Sequence, residues 1–514
     1  MLAYCYKDCS WKVFPSSSNI MADGFDAGMV VESSRRAFDA GKTRSYEARI
    51  THLHNLRRMI AENKQAFVDA LYKDLRKPEF EAVTFEVDFC HNDCVLAINE
   101  LKQWMKPEKV AIPFAGVGKQ CYIQRDPLGV VLIIGAWNYP FQLPIHPLIG
   151  AIAAGNTAVI KPSEISPATA KLFEELFPKY MDSSCFPVIN GDAVVTTALL
   201  EQRFDHIFYT GNSTVGKIVQ TAAAKHLTSV TLELGGKCPF YIGSNCDIDV
   251  AIHRTASAKF YNSGQTCVAP DFIICHRDQT DRVVSSLKKA LKEFFGDNPK
   301  KSKDYGRMVN VRHFKRVCAL LDGQEIVIGG ESDEDDLYIA PTVVVNAKDT
   351  DRIMQDEIFG PVWPILNLDS AEEAIRYINS REKPLALYVF SSDRGVIDQF
   401  RNQTSSGMFS GNECFVQGGV ETLPFGGIGN SGTGNYHGRF TYEAFSHRKA
   451  CMVDPMYTVS ELVRRLFYAP FTDRKTSIIA WALRKKLKNR TMSMFLRVAV
   501  VVVLLAVLYK VFLS

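Results

Sequence analysis

The sequence predicts an α/β protein: a parallel sheet covered by helices on both faces, followed by a second α/β domain. Three observations carry that reading. Short, continuously apolar runs at 130–135, 158–161, 206–209 and 230–234 alternate with helical periodicities, as strands buried on both faces require. A second alternating set begins near Phe272 and continues past Val343 and Val362 to Leu387 and Phe390. The chain of 514 residues, 46% of them apolar, is long enough to bury more than one core. In such an arrangement the crevice between the two domains is the expected place for an active site.

Composition excludes several functions. The net charge is only +4, from 60 Lys and Arg against 56 Asp and Glu, and no lysine-rich, aromatic-rich module stands out. Nucleic acid is therefore not an expected partner. Thirteen cysteines, an odd number without repeating spacing, fit a reducing compartment better than a disulfide framework. Cys90-His-Asn-Asp-Cys94 lacks a second ligand pair at zinc spacing, so it reads as two buried helical cysteines and no metal is expected. Residues 1–20 have no apolar h-region, being interrupted by Lys7, Asp8 and Lys12; they are an extension of unknown role and not a signal peptide.

Taken in order, the apolar residues Ile50, Leu53, Leu56, Ile60, Phe67, Leu71 and Leu75 recur at helical spacing, which predicts one long amphipathic helix over about 48–75. A second helix is expected over about 85–104, closing before Pro107. Between 110 and 127, β-branched and aromatic residues flank Gly116-Val-Gly118, the pattern of a hairpin that leaves the main body and serves association between subunits. The α/β alternation then occupies the rest of the body.

Four stretches carry chemistry. Glu233-Leu-Gly-Gly-Lys237 and Gly264-Gln-Thr-Cys267 offer a carboxylate and a thiol, each set in a glycine-bearing turn. A cysteine adds to an electrophilic carbon, and a carboxylate nearby activates the water that removes the adduct, so the pair points to covalent catalysis. Tyr209-Thr-Gly211-Asn212-Ser213-Thr214-Val215-Gly216 follows a strand and opens a helix, aiming backbone N–H groups at an anion such as a pyrophosphate. Such a glycine turn is structural more often than functional when taken alone. Lys161-Pro-Ser-Glu164 follows another strand, where ribose hydroxyls are held or where a plain solvated turn lies.

These stretches, with Ala136-Trp-Asn138-Tyr-Pro140, Glu357-Ile-Phe-Gly-Pro361 and Pro424-Phe-Gly-Gly-Ile-Gly429, occur in the order of the aldehyde dehydrogenase superfamily, which the chain resembles over about residues 27–455. With the carboxyl-terminal tail, it is most similar to the membrane-anchored, fatty-aldehyde-oxidising members of the class 3 branch. The resemblance implies the aldehyde dehydrogenase fold: a Rossmann-like NAD-binding domain (21–109 and 128–233), an α/β catalytic domain (234–432) and a small β oligomerisation arm (110–127 and 433–455). A basic amphipathic tail (456–490) and a membrane anchor (491–514) follow.

The same resemblance implies roles. Cys267 matches the nucleophile, Asn138 the amide that holds the oxyanion with the Cys267 N–H, and Glu233 the base that activates water against the thioester. Lys161 and Glu164 match residues near the adenosine ribose, Gly211, Asn212, Ser213, Thr214, Val215 and Gly216 the pyrophosphate loop, and Glu357 the residue that holds the nicotinamide ribose, with Phe425 packing beside it. Viewed singly, Glu357 reads equally well as a solvated charge and Phe425 as core. A carboxylate at Glu164 favours the free 2'-hydroxyl of NAD, although class 3 enzymes resemble one another in accepting NADP as well. The implied reaction is NAD-dependent oxidation of medium- to long-chain aliphatic aldehydes to carboxylic acids by a homodimer. The alternatives are a CoA-acylating enzyme, for which a base at Glu233 is superfluous, and a catalytically silent, membrane-tethered NAD-binding protein.

In the tail, residues 498–509 are uninterruptedly apolar but reach only about 18 Å as a helix, against about 30 Å of hydrocarbon. If Arg497 and Lys510 snorkel, residues 491–514 are long enough to cross. Arg484, Lys485, Lys486, Lys488 and Arg490 precede the segment, which by the positive-inside rule keeps the catalytic body in the cytosol, with the endoplasmic reticulum as the expected membrane. An anchor lying in the interface is the other reading.

Overall fold

A computed structural model describes residues 25–112, 119–454, 461 and 463–484. They form two compact units: the larger holds the described residues up to Lys106 and Arg125–Arg448, the smaller Pro107–Gln124 and the described residues from Lys449 onward. Both expected α/β sheets lie in the larger unit.

The first sheet has five strands in the order Gly432–Thr433, Ser229–Glu233, His206–Thr210, Val130–Ile134, Thr157–Lys161. The last four run parallel, and the short Gly432–Thr433 strand pairs antiparallel with Ser229–Glu233. Every residue of Val130–Ile134, Thr157–Lys161 and His206–Thr210 is buried, which is why these strands appear as continuous rather than alternating apolar runs. Successive strands fall on opposite sides of Val130–Ile134, so the strand order reverses between it and His206–Thr210. The loops leaving the carboxyl ends of those two strands, at Asn138 and Gly211, border the crevice that such a reversal opens.

The second sheet has seven strands in the order Met408–Gly411, Ala386–Phe390, Pro239–Ile242, Phe272–Cys275, Val362–Asn367, Thr342–Val345, Glu325–Ile328. Only Glu325–Ile328 is antiparallel to its neighbour. Its third strand, Pro239–Ile242, begins two residues after Lys237, earlier than the alternation from Phe272 onward suggests. A four-residue buried strand next to a double-glycine turn leaves too short a run to register as periodicity.

Two expectations change on the helices, and the residues grouped as the arm divide between the two units. The helix expected over 48–75 is two, Tyr46–Glu62 and Lys64–Leu75. Asn63 leaves helical geometry at the junction, and its Nδ2 donates to the Met59 carbonyl at 2.9 Å and to the Tyr180 hydroxyl at 3.1 Å. A short polar side chain bonding locally competes with the helix ladder, while the apolar stripe continues across the break. The helix expected from about 85 begins earlier: Glu79–Ala82 leads through a π-turn, Val83–Val87, into Asp88–Trp104. Residues 433–448, grouped with the arm from sequence, fall in the larger unit. Helix Gly438–Ala444 packs there against Gln142–Ala154, where a Cβ on Gly150 would lie 2.2 Å from Thr441.

A three-stranded sheet runs in the order Glu108–Lys109, Gln120–Pro127, Ser446–Val453, and the smaller unit holds its residues 108–109, 120–124 and 449–453. The turn at Gly116 to Gly118 lies outside the described residues. Farther along, helix Asp473–Leu483 is capped by the Thr472 hydroxyl and carries exposed Trp481 and Leu483. No helix among the described residues is long and apolar enough to cross a membrane. The anchor expected at 491–514 lies outside the described residues.

Candidate active site

Cys267 is delivered by a tight, unusual turn. Helix Ile248–Phe260 ends in a 3-10 turn, Tyr261–Gly264, in which Asn262, Ser263 and Gly264 all take positive φ (52°, 53° and 74°). Two successive non-glycine residues in that region are disfavoured and persist only where the surroundings over-determine them. Glycine is required at 264, because a Cβ there would stand 2.3 Å from the Gly360 carbonyl oxygen. That close approach brings the cysteine loop against the segment that follows Glu357. The Cys267 thiol is half-buried. Burial raises its pKa, as do the nearby Glu357 and Glu233 carboxylates, while the backbone N–H groups of Cys267 and Val268 lower it. Glu233 and Glu357 are thus close enough in space to act on the thiol.

Glu233 ends the strand Ser229–Glu233 and is only 3% exposed. Neither of its carboxylate oxygens has a hydrogen-bond partner, and desolvation pushes its pKa well above the usual carboxylate range. A buried carboxyl without a protein partner is costly to build, and such perturbed groups cluster at functional sites.

Asn138 follows the strand Val130–Ile134 and is 4% exposed. Its Nδ2 donates at 3.1 Å to the carbonyl of Gln265, two residues before Cys267. Gln265 is locked in turn: its Nε2 donates to Asn262 and Arg307 carbonyls, both at 2.9 Å, and its Oε1 accepts from the Val309 N–H at 3.0 Å. The Asn138 amide and the loop that carries Cys267 therefore belong to one hydrogen-bonded assembly.

Glu357 sits over the glycine pair of Glu233-Leu-Gly-Gly-Lys237. A Cβ on Gly235 would lie 2.0 Å from Glu357 Oε2, and the Gly236 N–H bonds to the carboxylate. Burial, with the charge of Asp271, pushes the Glu357 pKa up to about 8 against the opposing pull of Lys237 and Arg316. Lys237 fixes the approach: its Nζ reaches Asp271 Oδ2 at 2.6 Å and the carbonyls of Ile353 and Asp356 at 2.7 and 3.1 Å. Asp271 also accepts from the Ile358 N–H at 3.1 Å. The lysine closing that motif is thus the tie between it and the Glu357 segment.

The glycine turn at 211–216 connects strand His206–Thr210 to helix Ser213–Ala224. Asn212 caps the helix by accepting from the Val215 N–H at 3.0 Å. The first-turn N–H groups of Ser213 and Thr214 have no acceptor within the helix and suit an anion. Gly211 is confined by Tyr209, whose Oη would lie 2.2 Å from an added Cβ, and Gly216 by Leu234 at 2.8 Å. Bare backbone is what a pyrophosphate needs to approach closely, so the residues present fit a dinucleotide. Alongside, the buried Lys161 donates at 2.8 Å to the Pro162 carbonyl and at 3.0 Å to the half-exposed Glu164. Phe425 is buried against His437 (rings stacked, 4.9 Å) and Tyr436 (edge-on, 5.4 Å).

Sequence reasoning passed over Lys77, Glu81 and Glu86, which look like a solvated charged stretch. All three are buried, and they reach the backbone at Asn138, Phe141, Gln142 and Asn262. Their spacing among Ala82, Val83 and Val87 was the available signal, since it keeps charge on an otherwise apolar helical face.

The aldehyde dehydrogenase family model matches residues 18–451. The chain is 49% identical over 447 residues to the dimeric NADP-preferring aldehyde dehydrogenase of Canis lupus familiaris, covering 87% of this chain and 98% of that one. It is 45% identical over 473 residues to aldehyde dehydrogenase family 3 member A2 of Rattus norvegicus, covering 92% and 97%. Among solved structures, substrate-bound Staphylococcus aureus AldH superposes with a TM-score of 0.86 at 39% identity, covering 88% of this chain and 99% of that one. A cysteine, two raised carboxyls and an amide gathered beside a dinucleotide fold, with relatives that match along nearly their whole length, lead to one conclusion: the chain belongs to the aldehyde dehydrogenase family, in its class 3 branch.

Proposed function

We propose that this aldehyde dehydrogenase oxidises medium- to long-chain aliphatic aldehydes to carboxylic acids with NAD, through adducts carried on Cys267. The observation that carries the reading is the buried, unpartnered Glu233 carboxyl within electrostatic reach of the Cys267 thiol. Cys267 Sγ, having lost its proton to solvent, bonds to the aldehyde carbon as the thiolate, and the Asn138 amide with the Cys267 N–H receives the negative charge that develops on oxygen. Losing one such donor typically costs about 3 kcal/mol of transition-state stabilisation. A nicotinamide held by these residues would supply the hydride acceptor, and loss of hydride from the Cys267 thiohemiacetal reforms the carbonyl and leaves a thioester on Cys267. Glu233 then takes a proton from water, which attacks the thioester and frees the acid and the thiol.

The residues at 211–216 hold the pyrophosphate, Lys161 and Glu164 the adenosine ribose, and Glu357, with Phe425 nearby, the nicotinamide ribose. The half-exposed Glu164 carboxylate disfavours a 2'-phosphate, and its partner Lys161 offsets part of that repulsion, so NADP is accepted too. Its relative in Canis lupus familiaris, an NADP-preferring aldehyde dehydrogenase, accords with this. The enzyme acts as a homodimer on the cytosolic face of the endoplasmic reticulum, held by its carboxyl-terminal tail, where long-chain aldehydes partition into the bilayer.

NADH formation against a series of saturated aldehydes, short to very long, tests the reading. Turnover that rises toward the longer chains, and its abolition in Cys267→Ala, are expected. Retention of most activity in that variant removes Cys267 from the mechanism, and absence of turnover across the series overturns the proposed function.

A further inference from the structure

Beneath the reacting groups lies a set of charges that no step above uses. Lys77 and Glu86 are both fully buried and form an ion pair. Lys77 Nζ also donates at 2.9 Å to the backbone carbonyl of Asn138 and lies 4.0 Å from the Tyr139 ring centroid. Glu86, set in the π-turn, accepts on its other oxygen from the N–H groups of Phe141 (2.9 Å) and Gln142 (3.2 Å). The loop 138–142 is therefore gripped at both ends by one ion pair.

Glu81, from the short helix before the π-turn, reaches the other loop and accepts from the Asn262 N–H at 2.7 Å. Asn262 closes the circuit, its Nδ2 donating to the Asn138 carbonyl at 2.7 Å and to the Gln265 carbonyl at 3.1 Å. The Asn138 carbonyl thus takes two donors, one of them charged, which fixes the peptide from which the Asn138 amide projects. The left-handed turn at Asn262 and Ser263 gains the external restraint that its disfavoured geometry requires. Buried ion pairs contribute little net stability, and what this one supplies is its contacts to the backbone of the 138–142 loop.

We propose that Lys77, acting with Glu86 and Glu81, is the positioning residue that joins the Asn138 loop to the Asn262–Cys267 loop, so that amide donor and thiol keep one separation. This rests on the roles assigned above to Asn138 and Cys267. Displacements of about 1 Å in such a constellation cost on the order of 100-fold in rate.

Lys77→Met alone leaves Glu86 uncompensated, so the test uses K77M/E86Q in the full-length enzyme, measured beside N138A and the triple variant by stopped-flow NADH formation. A cooperative melt, NAD affinity within twofold of wild type, KM for aldehyde within threefold and a burst rate lowered about 10- to 100-fold are expected. Because Lys77 acts through Asn138, the triple variant should be no more than about threefold slower than N138A. A wild-type burst rate in folded K77M/E86Q beside a slow N138A overturns this inference alone. Multiplicative losses in the triple variant overturn it too, whereas a wild-type rate in N138A removes the oxyanion reading beneath it. Should K77M/E86Q not fold, E81Q keeps the ion pair and is expected to lower the burst rate about tenfold; a wild-type rate there overturns the joining role.

Discussion

Glu233→Gln separates the two halves of the proposed reaction. The substitution keeps shape and removes only the proton acceptor. Glu233 is 3% exposed with neither oxygen bonded, so the native group already bears the cost of an unsatisfied buried polar side chain. Exchanging it for an isosteric amide should change folding stability by no more than about 1 kcal/mol. Loss of a positioned general base typically lowers a rate by about 10² to 10⁴, or roughly 3 to 5 kcal/mol of barrier, and here the loss falls on thioester hydrolysis. Stopped-flow mixing with aldehyde and NAD should show a burst approaching one NADH per site at near-native rate, followed by a steady state slower by at least about 100-fold. Burial holds the Glu233 proton to higher pH, so the basic form grows as pH rises. Wild-type kcat should climb on its acidic side, and the variant should lack that limb. A steady-state rate within twofold of wild type, or a burst slowed as much as the steady state, refutes the base assignment.

Two further outcomes are expected. The Glu357 pKa, raised from 4.5 to about 8, makes a contribution to folding that is complete below pH 4.5 and is lost as pH rises through about 8. Denaturant melts of cofactor-free protein should therefore show wild type losing on the order of 5 kcal/mol more than Glu357→Gln across that window, and parallel curves would contradict the burial argument. Ending the chain at Arg490 should release a protein that no longer sediments with membranes and still oxidises short aldehydes; sedimentation of the truncated chain would locate the anchor elsewhere.

Much of this protein is legible in its sequence because the relevant physics is local. Strands buried on both faces must be continuously apolar, so Val130–Ile134 and His206–Thr210 announce themselves. Glycine where backbone must approach closely marks 211, 235 and 264, and each is confirmed by what a Cβ there would strike. Polarity and periodicity are weaker guides when the deciding contact is distant. Asn63 interrupts a stripe that reads as one helix because Tyr180, 117 positions away, takes its side chain. Phe425 is buried by Tyr436 and His437, a packing that ring chemistry alone does not specify.

The charges beside Pro78 mark the same limit most clearly. Composition assigns Lys77, Glu81 and Glu86 to solvent, since an isolated charge in a core is prohibitively costly. Only the tertiary structure supplies their partners, 61 positions away at Asn138 and 181 positions away at Asn262. Periodicity along the chain yields the α/β class, the motifs yield the candidate thiol and base, and the family resemblance adds the candidate amide. That the thiol and the base lie within electrostatic reach, and that the amide is tied to the nucleophile loop through buried charge, was decided by the fold, because charge is tolerated in a core only where distant parts of the chain converge on it.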